Sequence, residues 1–294
     1  MELELEQFIT YLREVKKSSN NTVVSYRRDL TKLNQYLQNQ GIQSYEQVNE
    51  TSLNSYILYL EKEGMAASTV SRNIAAMKAF MLFLLKNQFV TNDPTERIKS
   101  PKIDKKMPEI LTIEQVNRLL ELPATDNKKG MRDKAMLELL YATGIRVSEL
   151  IGLKLQDVNL RSNYIICRSD VKERIIPFGV IAKKALSDYM NNAREELICE
   201  LSTEYLFTNR SGQPMSRQGF WKLLKKYAKE VGIDGELTPR MLRHSFAAHL
   251  IAGGADIKAV QEMLGYSDIS TAQIYMCTSN RKVRDVYVST HPRA

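Results

Sequence analysis

Tyr141-Ala142-Thr143-Gly144-Ile145-Arg146-Val147-Ser148-Glu149-Leu150 holds the end of one helix and the start of another. Before it, Asp133 to Tyr141 carries Ala135, Met136, Leu139 and Leu140 at the spacing of a buried helix. Gly144 closes that helix, because glycine takes the left-handed conformation that a helix C-terminus often needs. Arg146 opens the next helix, ahead of the apolar Leu150-Ile151-Gly152-Leu153. An arginine entering a core at such a junction needs an anionic partner. Glu149 supplies one internally; a substrate phosphate is the other reading.

Working outward, Thr238-Pro239-Arg240-Met241-Leu242-Arg243-His244-Ser245-Phe246-Ala247 has Thr as N-cap and Pro at the first helical position. Arg240 and Arg243 are three apart and share a face near the positive end of the helix dipole, which suits a phosphate. A bare pair at this spacing is more often a solvated basic face. His244 and His249 lie among Leu242, Phe246, Ala247, Ala248 and Leu250, and read as packed, hydrogen-bonded core histidines rather than ligands. Tyr275 follows in Leu264-Gly265-Tyr266-Ser267-Asp268-Ile269-Ser270-Thr271-Ala272-Gln273-Ile274-Tyr275; alone among 14 tyrosines it reads as a core aromatic. Together, a phenol and two guanidinium groups have what is needed to attack a DNA phosphodiester without a metal. The phenolate is the nucleophile, and the arginines hold the charge that builds on the phosphoryl oxygens.

The 294 residues are at the upper limit for one core, so two domains are expected. A 43% apolar content suits globular cores, and the net charge of +8 raises the expectation of a polyanionic partner. Cys167, Cys199 and Cys277 with His244, His249 and His291 form no zinc pattern; no metal or cofactor is expected. The cysteines read as incidental thiols of a reducing compartment. The acidic start, Met1 to Glu6, is no signal peptide, and the apolar run Phe80 to Leu85 is too short to span a bilayer. A cytoplasmic protein is expected.

The expected fold is mainly α with a small β-sheet in the second domain. Residues 1–98 read as a helical domain: Phe8, Leu12 and Val15 recur at helical spacing. Asn21-Thr22 caps Val23 to Leu37, where Val24, Tyr26, Leu30, Leu33 and Leu37 would share a face. Ser52 to Lys62 and Ser68 to Lys86 form two more helices. Residues 99–110, with Pro101, Pro108 and four lysines, read as a linker, either a solvated tether or a segment crossing a DNA backbone. From Leu111 to Ala294 a second domain begins with a helix capped by Thr112. Tyr164 to Cys167 and Arg174 to Pro177 are strands around a polar tip, Arg168 to Glu173. Val180 to Met190 is helical, and Ser216 caps a long helix to Val231.

These motifs, in this order, resemble the tyrosine recombinase (phage integrase) family, in its Xer branch. Residues 21–30, Ser68-Thr69-Val70-Ser71-Arg72 and Asn92-Asp93-Pro94 resemble its SAM-like core-binding domain. Residues 141–150, Lys172-Glu173-Arg174-Ile175-Ile176-Pro177 and the end Thr290-His291-Pro292-Arg293-Ala294 resemble its catalytic domain and Xer carboxyl terminus. The resemblance implies a C-shaped clamp on double-stranded DNA with paired half-sites. It implies that Tyr275 forms a 3′-phosphotyrosine while Arg146 and Arg243 hold the non-bridging oxygens. It further implies a homo- or hetero-tetramer, built through a tail at residues 280–294, in which a second Xer-type recombinase is one option. Chromosome dimer resolution and mobile-element integration are both within the family's range.

Three positions depart from the family pattern. Ser169 stands where the family has the lysine that protonates the leaving oxygen; Lys172 and Arg168 are the nearby cations able to substitute. Arg240 replaces a histidine and cannot act as a base, since its pKa exceeds about 12. Tyr266 replaces histidine or tryptophan and still offers a hydrogen-bond donor. Two functions follow: an active recombinase, or a recombinase-like DNA-binding protein that cleaves weakly or not at all and acts as a synaptic partner. A nicking-and-rejoining activity without strand exchange is a third reading.

Overall fold

The computed structural model describes residues 1–102, 107–168, 173–198, 203–209, 211–233, 236–266, 268, 270–273 and 275. The chain divides into two compact units, Met1–Lys106 and Met107–Ala294.

The first unit is built from α1 (Glu2–Glu14), α2 (Asn20–Asn39), α3 (Glu50–Lys62) and α4 (Ala67–Lys86). Each helix contributes an apolar stripe to one core, including Phe8, Leu30, Leu33, Leu37, Leu53, Tyr56, Ile74, Phe80 and Leu84. Three expectations need correction here. Val15 lies past the end of α1 and is 67% exposed, because the helix stops at Glu14. In α2 the buried stripe runs through Val23, Leu30, Leu33 and Leu37, so Val24, about 100° further round, is 55% exposed. The cap of α2 is Ser19, whose hydroxyl accepts the Thr22 N–H at 3.2 Å, rather than Asn21-Thr22. A bidentate ion pair from Arg72 on α4 to the buried Asp29 on α2, at 2.7 and 3.0 Å, satisfies the one carboxylate in that core.

In the second unit come α5 (Ile113–Glu121), α6 (Lys128–Thr143) and α7 (Val147–Gly152). Strands β1 (Val158–Asn159), β2 (Tyr164–Arg168) and β3 (Glu173–Pro177) follow. After them run α8 (Val180–Asn192), α9 (Arg194–Ile198), α10 (Arg217–Val231), α11 (Pro239–Ala252), α12 (Ile257–Leu264) and α13 (Ser270–Gln273). The sheet is antiparallel in the order β1-β2-β3, with Ile165 opposite Ile176, both fully buried. At two residues, β1 is too short to show a period in the sequence. Thr112 caps α5 in a reciprocal box with Gln115, and Ser216 caps α10. The main core packs Ala135, Met136, Leu139 and Leu140 of α6 against Leu186, Tyr189, Phe220 and Leu224. A smaller cluster of Phe246, Ala247, Val260, Leu264 and Tyr275 adjoins α11 and α12. Among the described residues no helix is long and apolar enough to cross a membrane.

Candidate active site

The α6–α7 junction folds as its residues dictate. Gly144 takes φ +59°, and its N–H bonds the Leu140 carbonyl at 2.9 Å. Ile145 then fills the core position and Arg146 becomes the cap of α7. The guanidinium therefore does not enter the core: its side chain is 48% exposed. The Glu149 carboxylate accepts the Arg146 backbone N–H at 2.7 Å and its Nη1 at 3.0 Å. So the internal partner is present while the outer part of the guanidinium stays open to solvent.

Arg243 has the opposite setting. It is 7% exposed on α11, with Nη1 donating to the Gly144 carbonyl at 2.7 Å and Nη2 to the Leu264 carbonyl at 2.5 Å. Its guanidinium lies 5.0 Å from the centre of the Tyr266 ring. Burial pulls its pKa down, and Tyr266 partly offsets this; an arginine there stays charged at neutral pH.

Three arginines converge on the end of α12. Arg174 Nη1 donates to the Met263 carbonyl at 2.7 Å, Arg243 to Leu264, and Arg146 Nη2 to Gly265 at 3.4 Å. These carbonyls lack partners within the helix, and the C-terminal end of its dipole favours cations. Arg174 also hydrogen-bonds Glu149, so one carboxylate ties Arg146 to β3. Gly265, at φ +63°, is required twice over: it makes the left-handed cap, and a Cβ there would stand 2.6 Å from Arg174 Nη1.

The cap turns the chain toward Tyr275, which is 1% exposed. Its hydroxyl is hydrogen-bonded to His244 Nδ1 and lies 3.3 Å from the Tyr266 hydroxyl. Burial pushes the Tyr275 phenol well above the ordinary tyrosine value; Tyr266 adds to this and Arg243 opposes it. His244 is pushed down, chiefly by burial and then by Arg243 and Arg240. Its imidazole is therefore neutral at pH 7.

A phenol beside a buried arginine, a second phenol and a half-exposed arginine make up this cluster. Residues 109–281 match the model of the phage integrase family, and residues 5–88 match the phage integrase N-terminal SAM-like domain. The chain belongs to the phage integrase family. It lies in the Xer branch: it is 46% identical to the tyrosine recombinase XerD of Halalkalibacterium halodurans over 99% of this chain and 98% of that one. To XerD of Oceanobacillus iheyensis it is 43% identical over the whole of both. Among solved structures, the XerA recombinase aligns with 26% identity and a TM-score of 0.55 over 100% of this chain and 99% of that one. The XerH site-specific recombinase, in a post-cleavage complex with palindromic difH substrate, aligns with a TM-score of 0.76 over 96% and 83%. At 21% identity it speaks for the fold alone.

Against the family pattern, the structure brings Tyr275, Tyr266 and Arg243 together directly and joins Arg146 to them through the end of α12. Arg240 is exposed and bears on the cluster by its charge on His244. Arg168, exposed at the end of β2, is paired with Asp157 and, at 2.9 Å, with Glu173. Ser169, Lys172 and the tail at residues 280–294 lie outside the described residues. His244 is hydrogen-bonded, as its setting suggests, and its partner is the Tyr275 hydroxyl. Arg174 was not singled out by sequence reasoning, although a signal existed. It shares its strand face with the buried Ile176, so alternation places an arginine inward, where it needs partners. Cys167 is buried, which pushes its thiol up to about 12 and leaves it unreactive. Among the described residues no cluster of His, Cys, Asp or Glu is placed to hold a metal ion.

Proposed function

We propose that the chain is a site-specific DNA recombinase that cleaves and rejoins duplex DNA through a 3′-phosphotyrosine at Tyr275. The observation that carries this is the gathering of Tyr275, Arg243 and Arg146 about the end of α12. In the cleavage step the Tyr275 oxygen bonds to phosphorus and the bond to the 5′-oxygen breaks. The 5′-oxygen leaves with a proton, and rejoining reverses these events. Arg243 and Arg146 meet the non-bridging oxygens with guanidinium N–H groups beyond those bonded to carbonyls and Glu149. At 1% exposure the phenol is covered in this structure, so it must become accessible when DNA enters.

Lys172 is the better candidate than Arg168 for protonating the leaving oxygen. Arg168 is engaged by Asp157 and Glu173, and a guanidinium does not release its proton near neutral pH. The partner in this reading is duplex DNA with paired half-sites, held by four protomers that exchange their tails, residues 280–294, with or without a second Xer-type recombinase. Structures of the same fold have been solved on DNA, XerH on difH and the Tn1549 integrase with circular intermediate DNA, which is in keeping with DNA as the partner.

The test is covalent trapping on a nicked suicide substrate, after selecting the bound site from random DNA. Wild type should form a protein–DNA adduct that Tyr275→Phe abolishes, and Arg243→Ala should slow it by about 10²–10³. Tight binding with no adduct from wild type would make the chain a synaptic DNA-binding partner instead.

A further inference from the structure

We infer that His244 holds the Tyr275 hydroxyl and takes its proton as the nucleophile attacks, a role that rests on the recombinase reading above. His244 Nδ1 is hydrogen-bonded to the phenol oxygen, with the two ring centres 5.7 Å apart. Arg243 and His244 are neighbours on α11, so their side chains leave the helix about 100° apart. Arg243 thereby reaches the end of α12 while His244 reaches Tyr275. On the other side, the Tyr266 hydroxyl lies 3.3 Å from the same oxygen and, like burial, disfavours a free phenolate, so the phenol keeps its proton until a base takes it.

Arg240 cannot accept a proton, which leaves the neutral His244 imidazole as the base in contact with the phenol. Among the described residues, the groups that bear on His244 are Arg240 and Arg243 from its own helix, with the Tyr275 and Tyr266 phenols beyond α12. The two arginines hold its proton affinity down while no anion is present. A phosphate bound at Arg243 offsets that charge, so the imidazole becomes a stronger base when the scissile group arrives. In the step, the Tyr275 O–H bond breaks and the proton passes to Nδ1, while Nε2 keeps its own. The phenol oxygen bonds to phosphorus as the P–O5′ bond breaks, and the 5′-oxygen takes a proton from water or a lysine ammonium. Rejoining returns the imidazolium proton to the phenol oxygen.

The test is single-turnover cleavage of the nicked substrate between pH 5 and 9 by wild type and His244→Asn, whose Oδ1 accepts a hydrogen bond but no proton. Wild type should lose rate as pH falls and the imidazole becomes protonated. His244→Asn should cleave about 10²–10⁴-fold more slowly, without that acid limb and with DNA binding unchanged. An unaltered rate and pH profile, or faster cleavage from a released phenol, overturns the role. A second measurement needs no cleavage: the ¹⁵N resonances of His244 in the full chain, with and without Tyr275→Phe. Loss of the phenol donor should shift Nδ1 and raise the imidazole pKa; unmoved resonances overturn the contact. Absence of a wild-type adduct sinks the recombinase reading alone, and the resonances still decide whether His244 holds the phenol.

Discussion

Gly144 joins three demands in one residue. Its φ of +59° is left-handed, its carbonyl accepts Arg243, and its missing Cβ leaves room for Phe246. A methyl group there would stand 2.2 Å from Phe246 Cδ1 and 2.9 Å from Leu264 Cδ2. The left-handed penalty of about 1–2 kcal/mol and the overpacking cost of about 1–3 kcal/mol act together. Gly144→Ala should therefore destabilise the chain by about 2–5 kcal/mol in urea unfolding. A loss below about 0.5 kcal/mol, within the range of an ordinary surface substitution, would mean the α6–α7 turn relaxes freely. Much of this residue was legible beforehand: a glycine after a buried helical stripe is a C-cap. The clash with Phe246 was not, because 102 positions separate the two residues.

At the scale of elements, α12 is the piece on which the site hangs. It is short, and its last carbonyls are held by arginines from β3, α11 and the α6–α7 junction. Arg174, whose side chain is 8% exposed, is covered much as Arg243 is, and it is shared with Glu149. Arg174→Met keeps the apolar stem but removes charge-assisted hydrogen bonds, each worth about 1.5–3 kcal/mol. The expected result is a lowered thermal midpoint together with slower adduct formation, since Tyr266 follows the helix cap and touches both Arg243 and the Tyr275 hydroxyl. Normal trapping despite a lowered midpoint would show that α12 keeps its place without β3. Helix starts here are locally encoded: Thr112, Ser216 and Thr238 each cap the helix that follows, as their residue types direct. In α2 cap chemistry alone is ambiguous, because Ser19, Asn21 and Thr22 are all cap formers and only packing decides among them.

Across the whole molecule, a net charge of +8 is a statement about partners. If the chain neutralises about 6–10 phosphates, its duplex affinity should drop by about 10³–10⁵ between 50 and 200 mM salt. Gel-shift titrations at four salt concentrations would check this; a flat response would mean the basic residues do not meet the DNA backbone.

The sequence by itself determined the helical first unit, the hairpin and caps of the second, and the family, because these rest on local periodicity, cap chemistry and motif order. Tertiary structure alone decided which side chains meet. His244 and Tyr275 are 31 positions apart, Arg243 and Leu264 are 21 apart, and Arg174 and Met263 are 89 apart. No local pattern encodes such pairs: they form because packing α11 and α12 against β3 and α6 leaves buried donors and carbonyls that only each other can satisfy.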